Sequence, residues 1–323
     1  MRALVLNTLN TSPVVADIPV PEPEPGEVLI RVTASSVNPH DAMVASGAAA
    51  RYMTYELPAV LGSDVSGTVE KAGDDVSDVV AGDRVFGLLR ELIVRRGTFA
   101  EYVAIPRDWI CLTPAGVDDD FAGTLGLAAL TALRCLEAVD PATGDVVLIN
   151  GATGGVGSYL TQLLSSRGVH VIATAHGDAG RQHAQSMGAH KVVDWVGGDL
   201  SQAVTAVYPQ GIQAVVDLVN RDRAALTELA SEVLTPHGRV VSTGHAANPE
   251  ALPGRTAVNV VAVVDRSAMA EIGSLAADGV LRSAVTRSFG LHDVANAFDA
   301  LQDGAVGKIA ISVVDCGTST PPD

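Results

Sequence analysis

The sequence has few of the residues that build metal and disulfide sites. Its three cysteines, Cys111, Cys135 and Cys316, lie far apart and form no CxxC pair. This spacing indicates neither a zinc knuckle nor a disulfide framework. Aromatic residues make up 4% of the chain, so the core has to be built from valine, alanine and leucine.

Basic residues and long apolar runs are also scarce. There are 21 lysines and arginines against 37 aspartates and glutamates, and the formal net charge is -16. This charge argues against binding to nucleic acid or to an anionic membrane. Apolar runs such as VNVVAVV at 258–264 are far shorter than the roughly 18–20 residues of a membrane span, and the N-terminus lacks a signal-peptide pattern. We therefore expect a soluble, cytoplasmic protein.

The pattern of the chain changes near residue 119. Up to about residue 110 it predicts β-strands, as in VLIRVTASSV at 28–37 and VSGTVEKAG at 65–73. From 119 onward, short Val/Ile-rich runs alternate with helical patterns, which predicts βαβ units on a buried parallel sheet. A last strand, GKIAISVV, is expected to complete the first domain. The strand-like runs of the parallel sheet are VVLING (146–151), HVIATA (170–175), KVVDW (191–195), AVVDLV (214–219) and GRVVSTG (238–244).

The stretch INGATGGVGSYLTQLL (149–164) places four glycines in seven positions between a predicted strand and a predicted helix. In a dinucleotide-binding fold, such a turn lets backbone N–H groups and the helix N-terminus approach a pyrophosphate. The alternative is a purely structural turn. No lysine precedes Ser158, as a P-loop requires, and no tyrosine has a lysine four residues on, as in short-chain dehydrogenases. The turn predicts dinucleotide binding by Ala152, Thr153, Gly154, Gly155, Val156 and Gly157.

The end of the second strand of this fold indicates NADPH. NAD binders usually place Asp or Glu there, about 20 residues past the glycine turn. The strand ends instead in Thr174 and Ala175, with His176 and Arg181 close by. A strand end that lacks a repulsive carboxylate and has cationic or hydrogen-bonding side chains nearby suits the 2′-phosphate of NADPH. Two alternatives stay open: Arg181 is a solvated helix residue, or Asp178 binds the ribose of NADH.

Eight motifs occur in a characteristic order and spacing: SVNPHDAMVASG (36–47), LPAVLGSDVSGTVEKAG (57–73), AGDRVFGL (81–88), GTFAEYVAIP (97–106), LGLAALTALRCL (125–136), INGATGGVG (149–157), HGRVVSTG (237–244) and GKIAISV (307–313). Together they resemble the zinc-independent, quinone-oxidoreductase-like branch of the medium-chain dehydrogenases/reductases, over nearly the whole chain. The resemblance implies an α/β protein in which a GroES-like, β-rich catalytic domain (1–119 and 265–323) is interrupted by a Rossmann domain with a doubly wound parallel sheet (120–264). It also implies an active site in the cleft between them.

Compared with the zinc alcohol dehydrogenases of the same family, the chain lacks the metal ligands. Asn38 stands where that branch has a cysteine, Ser63-Asp64 where it has a His-Glu pair, and Leu127 where it has a second cysteine. Asparagine is a poor zinc ligand and leucine cannot be one. A zinc site of scattered histidines stays open, although no His-x-His or HExxH spacing supports it. We expect a metal-free protein.

A metal-free site can still reduce a conjugated acceptor, because hydrogen-bond donors at its carbonyl oxygen and a proton source suffice. The resemblance implies that Asn38 faces nicotinamide and substrate and that Tyr52 and Tyr55 border the cleft. His40 is a further catalytic candidate. Each has a structural alternative: a cap for Asn38, surface packing for the tyrosines, a loop residue for His40. Met43 stands where the family often has tyrosine, so the usual proton donor is missing or displaced.

Further cofactor contacts follow from the resemblance. They are Thr131 near the nicotinamide, Trp195 at the adenosine end, Asn220 at the carboxyl edge of the sheet, Thr243–Gly244 and Lys308. Two of them have a structural alternative, since Trp195 could belong to the core and Lys308 could be a solvated charge at a strand edge.

These observations predict a metal-free NADPH-dependent oxidoreductase that transfers hydride to a quinone or an α,β-unsaturated carbonyl substrate, of the quinone reductase or enoyl reductase type. A non-catalytic NADPH-binding protein and an alcohol dehydrogenase are the alternatives. The resemblance also implies a homodimer formed through edge strands of the Rossmann sheet, for which VNVVAVV is suited, although an interior strand would look the same.

Overall fold

The computed structural model describes residues 1–194 and 199–313. Trp195 therefore lies outside the described residues. The strands are β1 (Arg2–Leu6), β2 (Val14–Asp17), β3 (Glu27–Val37), β4 (Thr54–Tyr55), β5 (Ala59–Val60), β6 (Asp64–Ala72), β7 (Arg84–Leu88), β8 (Ile93–Val94), β9 (Tyr102–Pro106), β10 (Ile110–Leu112), β11 (Val146–Asn150), β12 (His170–Thr174), β13 (Lys191–Val193), β14 (Ile212–Asp217), β15 (Leu234–Ser242), β16 (Thr256–Asn259), β17 (Val285–Gly290) and β18 (Lys308–Ser312).

The α-helices are α1 (Pro39–Ala45), α2 (Asp119–Ala122), α3 (Gly126–Val139), α4 (Gly155–Ser166), α5 (Gly177–Ser186), α6 (Leu200–Thr205), α7 (Arg223–Val233), α8 (Arg266–Ala277) and α9 (Val294–Gln302). Short 3-10 turns span Ala48–Arg51, Arg107–Trp109, Pro249–Ala251 and Leu291–Asp293. None of the helices formed by residues 1–194 and 199–313 is long and apolar enough to cross a membrane.

Two units account for the contacts of the described residues. Unit 1 comprises residues 1–127, 264–277 and 285–313, and unit 2 comprises residues 128–194, 199–263 and 278–284. The first boundary falls at residue 127 because α2 packs on β3 and β6 of unit 1. The domain limits read from the sequence stay a prediction.

Unit 1 is built on β-sheets. The largest has the order β10-β7-β6-β3-β18-β17, with β9 also paired to β3, and a smaller sheet has the order β2-β1-β5. Strand β18 runs antiparallel to β3, with Ile309 opposite Val37. The last described strand thus joins the sheet of the N-terminal segment, because its buried apolar residues need that sheet to cover them.

Unit 2 is a six-stranded parallel sheet with the order β13-β12-β11-β14-β15-β16. This is the doubly wound order of dinucleotide-binding domains, in which ligands bind at the carboxyl ends of the strands where the order reverses. Here that point lies between β11 and β14, which pair directly. The strands expected from the Val/Ile-rich runs are all present, and the capped helix α6, which the sequence analysis did not predict, lies between β13 and β14.

The apolar run VNVVAVV is only partly a strand. Strand β16 ends at Asn259 and forms the edge of the sheet beyond β15. The Val260 N–H still donates to the Ser242 carbonyl at 2.9 Å, and beyond it the side chains of Val261 and Val263 are 54% and 62% exposed. The expectation of a continuous strand over 258–264 is therefore wrong. The choice between an edge and an interior strand is decided, since β16 lies at the edge of the sheet.

Candidate active site

Helix α1 follows β3 directly and fixes the positions of Asn38, His40 and Asp41. Asn38 is the N-cap, with extended backbone, and Pro39 occupies the first helical position, where a missing N–H costs nothing. The Asn38 backbone N–H donates to Asp41 Oδ2 at 2.9 Å. The structure thus gives Asn38 a capping position, at the start of a helix and not in a loop.

The side-chain amide of Asn38 is held on both sides. Nδ2 donates to Asp64 Oδ2 at 2.8 Å and to Asp41 Oδ2 at 3.1 Å, while Oδ1 accepts from Lys308 Nζ at 2.8 Å. The Lys308 ammonium also lies 3.5 Å from Asp64 Oδ2. Lys308 is 3% exposed, so its alternative as a solvated strand-edge charge is wrong. Buried charges persist only when they are paired and hydrogen-bonded, as they are in this network.

The remaining oxygens of the two carboxylates are also occupied. Asp64 Oδ1 accepts from the backbone N–H of Leu127 at 2.6 Å, and Asp64 Oδ2 accepts from Ser36 Oγ. Ser63 Oγ donates to Asp41 Oδ1 at 2.6 Å. The positions that carry metal ligands in the zinc branch therefore meet in one buried hydrogen-bond network, which we call the polar network. It consists of Ser36, Asn38, Asp41, Ser63, Asp64, Leu127 and Lys308.

Burial dominates the electrostatics of the polar network. It raises the pKa of Asp41 to about 6, against the hydrogen bonds from Ser63 and Asn38, which favour the charged form. Burial also lowers the pKa of Lys308, and the neighbouring Asp64 and Asp41 oppose that shift. The network therefore contains a carboxyl group that titrates near neutral pH.

His40 contacts an arginine from another part of unit 1. Arg90 Nη1 lies 2.7 Å from His40 Nε2. Both side chains, together with Asp41 and Ser63, line a cavity of about 40 Å³. Burial, and secondarily the Arg90 charge, lowers the pKa of His40 to about 4. Sequence reasoning missed Arg90, because nothing in the pattern of AGDRVFGLLRE distinguishes it from a surface arginine.

The two tyrosine candidates differ in their surroundings. Tyr52 is 61% exposed, with the Arg51 guanidinium 4.8 Å from the centre of its ring. Tyr55 Oη donates to the Val44 carbonyl at 2.8 Å, and burial raises its pKa. The proton of Tyr55 is thus committed to the backbone, whereas Tyr52 stands at the surface of unit 1.

The glycine turn leads from β11 into α4. Gly151 has φ +90°, and a side chain at Gly157 would place its Cβ 2.3 Å from the Gly151 carbonyl oxygen. Glycine is therefore required at both positions. At the N-cap Gly154, by contrast, the nearest atom to a Cβ would be Gly151 O at 3.7 Å, so this side of the turn is open. Ala152 is buried, and Thr153, Gly155 and Val156 are partly exposed around it.

Thr174, at the end of β12, is hydrogen-bonded to the first glycine of the glycine turn. It is 3% exposed, and its Oγ1 accepts from the Gly151 backbone N–H at 2.9 Å. Further out, His176 is exposed and lies 3.8 Å from Asp194. Arg181 is partly buried on α5, and its side chain has no hydrogen bond or ion pair with residues 1–194 or 199–313.

The carboxyl end of β14 adjoins the turn. Asp217 Oδ2 accepts from Nδ2 of both Asn150 and Asn220, at 2.9 and 2.7 Å. A Cβ on Gly244 would lie 2.2 Å from the Asn220 carbonyl oxygen, so the segments after β14 and β15 touch through their backbones. The structure thus brings Asn220 and Thr243–Gly244 together beside the glycine turn. Sequence reasoning missed Asp217, although a carboxylate closing an apolar strand was a usable signal.

Thr131 lies on α3, at 9% exposure. The predicted site residues thus fall into two sets of described residues. Unit 1 holds Asn38, His40, Tyr52, Tyr55 and Lys308, and unit 2 holds the glycine turn, Thr131, Thr174, His176, Arg181, Asn220, Thr243 and Gly244.

Comparisons with known proteins agree with this geometry. Residues 24–115 match the alcohol dehydrogenase GroES-like domain family, and residues 155–278 match the zinc-binding dehydrogenase family. A quinone oxidoreductase of Sus scrofa is 31% identical over 71% of this chain and 68% of its own length. One of Lama guanicoe is 29% identical over 92% of both chains.

A solved structure has the same fold. The quinone oxidoreductase from Coxiella burnetii superposes with a TM-score of 0.87 at 28% identity, over 97% of this chain and 99% of its own. The matched families cover most of the β-rich segment and, from β12 to β16, most of the parallel sheet, so the expectation of a GroES-like domain plus a Rossmann domain is confirmed. This chain belongs to the quinone-oxidoreductase-like medium-chain dehydrogenases/reductases.

Proposed function

We propose that this protein is a metal-free, NADPH-dependent oxidoreductase that transfers hydride to a quinone or an α,β-unsaturated carbonyl compound (an enone or enoyl substrate). The observation that carries the proposal is the polar network, in which the positions of the zinc branch's ligands are occupied by mutually bonded groups. The names of the relatives, quinone oxidoreductases, support the same substrate class.

The donor set of the polar network does not fit zinc. Leu127 contributes a backbone N–H, Asn38 is bonded on both sides of its amide, and the Lys308 ammonium lies 3.5 Å from Asp64. A zinc site needs several free N, S or O donors, and a fixed cation beside the carboxylate would repel the metal. Within residues 1–194 and 199–313, no three His, Cys, Asp or Glu side chains are grouped as metal ligands.

The residues of unit 2 fit a dinucleotide. The open side at Gly154, the required glycines and the N-terminus of the twelve-residue helix α4 form a turn whose N–H groups can bind a pyrophosphate. In this proposal Ala152–Gly157 bind the pyrophosphate, and Thr131, Trp195, Asn220, Thr243, Gly244 and Lys308 bind elsewhere along the cofactor. Because Lys308 already donates a hydrogen bond to Asn38, its proposed contact with the cofactor has the least support of these residues.

The end of β12 supports NADPH over NADH. The strand ends in Thr174, whose hydroxyl is committed to Gly151, and the next residues with side chains that can meet a 2′-phosphate are His176 and Arg181. Arg181 is the better candidate, because its guanidinium has no partner among the described residues. Asp178, in the first turn of α5, is the group that would instead serve the ribose of NADH.

The bound nicotinamide would supply hydride, and the chain's own part is to stabilise the charge that develops on the acceptor. In a quinone or enone, that charge collects on a carbonyl oxygen, where N–H and O–H donors stabilise it. The proposed donors are Asn38, His40, Tyr52 and Tyr55. Of these, Asn38 and Tyr55 already donate to protein acceptors, whereas His40 contacts Arg90, which has no acceptor, so His40 and Tyr52 are the stronger candidate donors.

The test is NADPH oxidation with a panel of acceptors: 1,4-benzoquinone, 9,10-phenanthrenequinone, 2-alkenals and enoyl thioesters. We expect turnover with at least one of them and none with simple alcohols and NADP⁺. Stoichiometric zinc in the purified protein, with activity lost on chelation, would contradict the metal-free assignment and favour an alcohol dehydrogenase.

A non-catalytic NADPH-binding role is the second candidate. Met43 stands in place of the family's tyrosine, and Tyr55 donates its proton to a backbone carbonyl, so a ready proton donor is hard to find in unit 1. NADPH binding without turnover on any member of the panel would favour this role.

We further propose a homodimer formed through β16. Among the described strands β16 pairs only with β15, so its outer edge is available for another strand, and the exposed Val261 and Val263 follow it. Sedimentation of the wild type against a Val261→Asp/Val263→Asp variant tests this, since only a dimer built on this edge dissociates. The cytoplasmic location stays a prediction from the sequence.

A further inference from the structure

The contact between Arg90 and His40 joins two segments 50 residues apart in the chain. His40 belongs to the first turn of α1, and Arg90 follows β7. Both are partly buried, and both line the cavity of about 40 Å³. That volume holds about two or three water molecules, so the imidazole and the guanidinium meet in a small space.

The chemistry of the contact fixes the protonation state of His40. A guanidinium has only donors, so the ring nitrogen that faces it, at 2.7 Å, must accept and cannot carry a proton. A neutral imidazole has one N–H, which then lies on Nδ1. An imidazolium would place an N–H against an N–H and one positive charge against another.

The other charged groups around the cavity do not reverse this. Asp41 on α1 also lines the cavity. Asp64 on β6 favours a charged His40, but its effect on the pKa is smaller than those of burial and of Arg90. Glu91 and Arg96 also line the cavity, and they bond to each other at 2.6 Å. On the far side of Asp41, the ammonium of Lys308 adds a positive charge.

Arg90 has no other anchor among residues 1–194 and 199–313. No carboxylate oxygen of the described residues lies within ion-pair distance of its guanidinium, unlike the neighbouring Arg95 and Arg96, which both pair with Glu91. Burial lowers the pKa of Arg90, and the negative charge of Asp41 opposes that shift without an ion-pair contact. A desolvated arginine whose one side-chain hydrogen-bond partner in the described part of the chain is an imidazole is placed to orient that ring.

We propose that Arg90 is a positioning residue, which holds His40 as the neutral Nδ1–H tautomer and makes it a fixed hydrogen-bond donor and not a proton source. The role of His40 toward a substrate rests on the proposed function. As the acceptor takes up hydride, Nδ1–H donates to the carbonyl oxygen without giving up its proton. The proton that completes the quinol or the saturated carbonyl then comes from water.

The test uses the full-length protein labelled with ¹⁵N-histidine, with the His40 signals assigned by their loss in His40→Gln. In the wild type we expect His40 to stay neutral from pH 5 to pH 8, with its proton on Nδ1. In Arg90→Met, its titration midpoint should move up from about 4 towards the ordinary 6.5, and the proton should redistribute to Nε2. Arg95→Met, which removes a neighbouring exposed arginine, is the matched control and should leave the His40 signals unchanged.

Kinetics supply a second readout. If quinone reduction is observed, kcat/KM of Arg90→Met should gain an inflection near pH 6.5 that the wild type lacks, and Arg90→Lys, which keeps a cationic donor, should restore the flat profile. If Arg90→Met does not fold, Arg90→Lys and the wild-type titration still decide the question. A His40 that titrates near pH 6.5 in the wild type, or that is unchanged in Arg90→Met, would overturn the assignment.

The two proposals fail separately. The ¹⁵N measurement needs no turnover, so a neutral Nδ1–H His40 in a protein that reduces none of the acceptors would overturn only the proposed function. A charged His40 in an active quinone reductase would overturn only the role of Arg90.

Discussion

Lys308 donates from Nζ to Oδ1 of Asn38 at 2.8 Å, across 270 residues of sequence, and this contact decides which way the Asn38 amide faces. With Oδ1 turned to the ammonium, Nδ2 faces the carboxylates of Asp41 and Asp64. A strand near the end of the described chain thereby orients the residue that starts α1.

Removing the Lys308 charge should destabilise the protein strongly. In Lys308→Met, two buried carboxylates lose their cation, and breaking a buried pair in this way costs about 3–5 kcal/mol. Urea unfolding measures the loss, and Lys71→Met, which removes an exposed lysine paired to Glu22, should change the free energy of unfolding by less than about 0.5 kcal/mol. Adding Asp64→Asn to Lys308→Met should recover part of the loss. If Lys308→Met and Lys71→Met lowered the free energy of unfolding equally, the buried ion pair would be contradicted.

Asp41 should make stability fall as the pH rises from 4 to 6. Its folded pKa is about 6 against an ordinary 3.8, so in this window the folded protein keeps a proton that the unfolded chain has lost. The contribution is fully present below pH 3.8 and lost above pH 6, an effect of about 3 kcal/mol at most.

Asp41→Asn isolates this effect. The free energy of unfolding of the variant, minus that of the wild type, should rise between pH 4 and pH 7 in denaturant titrations. His40, whose pKa is lowered, works in the opposite direction, but it is present in both proteins and cancels. A difference that is flat with pH would show that Asp41 titrates normally.

The glycine turn offers a pair of substitutions that separates folding from cofactor binding. Gly157→Ala puts a Cβ 2.3 Å from Gly151 O and should cost about 1–3 kcal/mol of stability. Gly154→Ala meets nothing closer than 3.7 Å and should leave thermal unfolding unchanged. Because its methyl group occupies the open side of the turn, it should still weaken NADPH binding about tenfold, measured by nucleotide fluorescence. Unchanged binding would place the pyrophosphate elsewhere.

Thr174→Val should loosen the turn without touching its glycines. The isosteric change removes the oxygen that accepts from Gly151 N–H, and an unsatisfied buried donor costs about 1–3 kcal/mol. Thr143→Val, which removes an exposed hydroxyl bond, serves as the control. If Thr174→Val and Thr143→Val lost the same stability, the hydrogen bond from Gly151 to Thr174 would not stabilise the turn.

Arg181→Ala tests the cofactor preference. Loss of a charge-assisted hydrogen bond to a 2′-phosphate should weaken NADPH binding about tenfold and leave NADH binding within about twofold. Arg167→Ala, at the exposed C-terminal end of α4, should change neither dissociation constant. Equal weakening of both nucleotides by Arg181→Ala, or none, would exclude a 2′-phosphate contact.

Local patterns predicted the parallel sheet well. Val/Ile-rich runs buried on both faces leave little ambiguity, and β11, β12, β14 and β15 lie where those runs predict them. Helix α1 escaped prediction because it is seven residues long and begins at a proline, which reads as a loop in isolation. Its start depends on Asp41 accepting from the Asn38 backbone, a contact that propensity does not reveal.

The sequence by itself determined the family, the two folds and the glycine turn, because periodicity and glycine spacing are local properties of the chain. It also showed that Asn38, Ser63-Asp64 and Leu127 replace the ligands of the zinc branch. Only the tertiary structure decided how these residues are used. Lys308, expected as a cofactor contact or a solvated charge, is buried against Asn38 and Asp64, which lie hundreds of residues away in the sequence, at the start of α1 and of β6. The charge state of His40 likewise depends on Arg90, a neighbour in space that no sequence pattern connects to it.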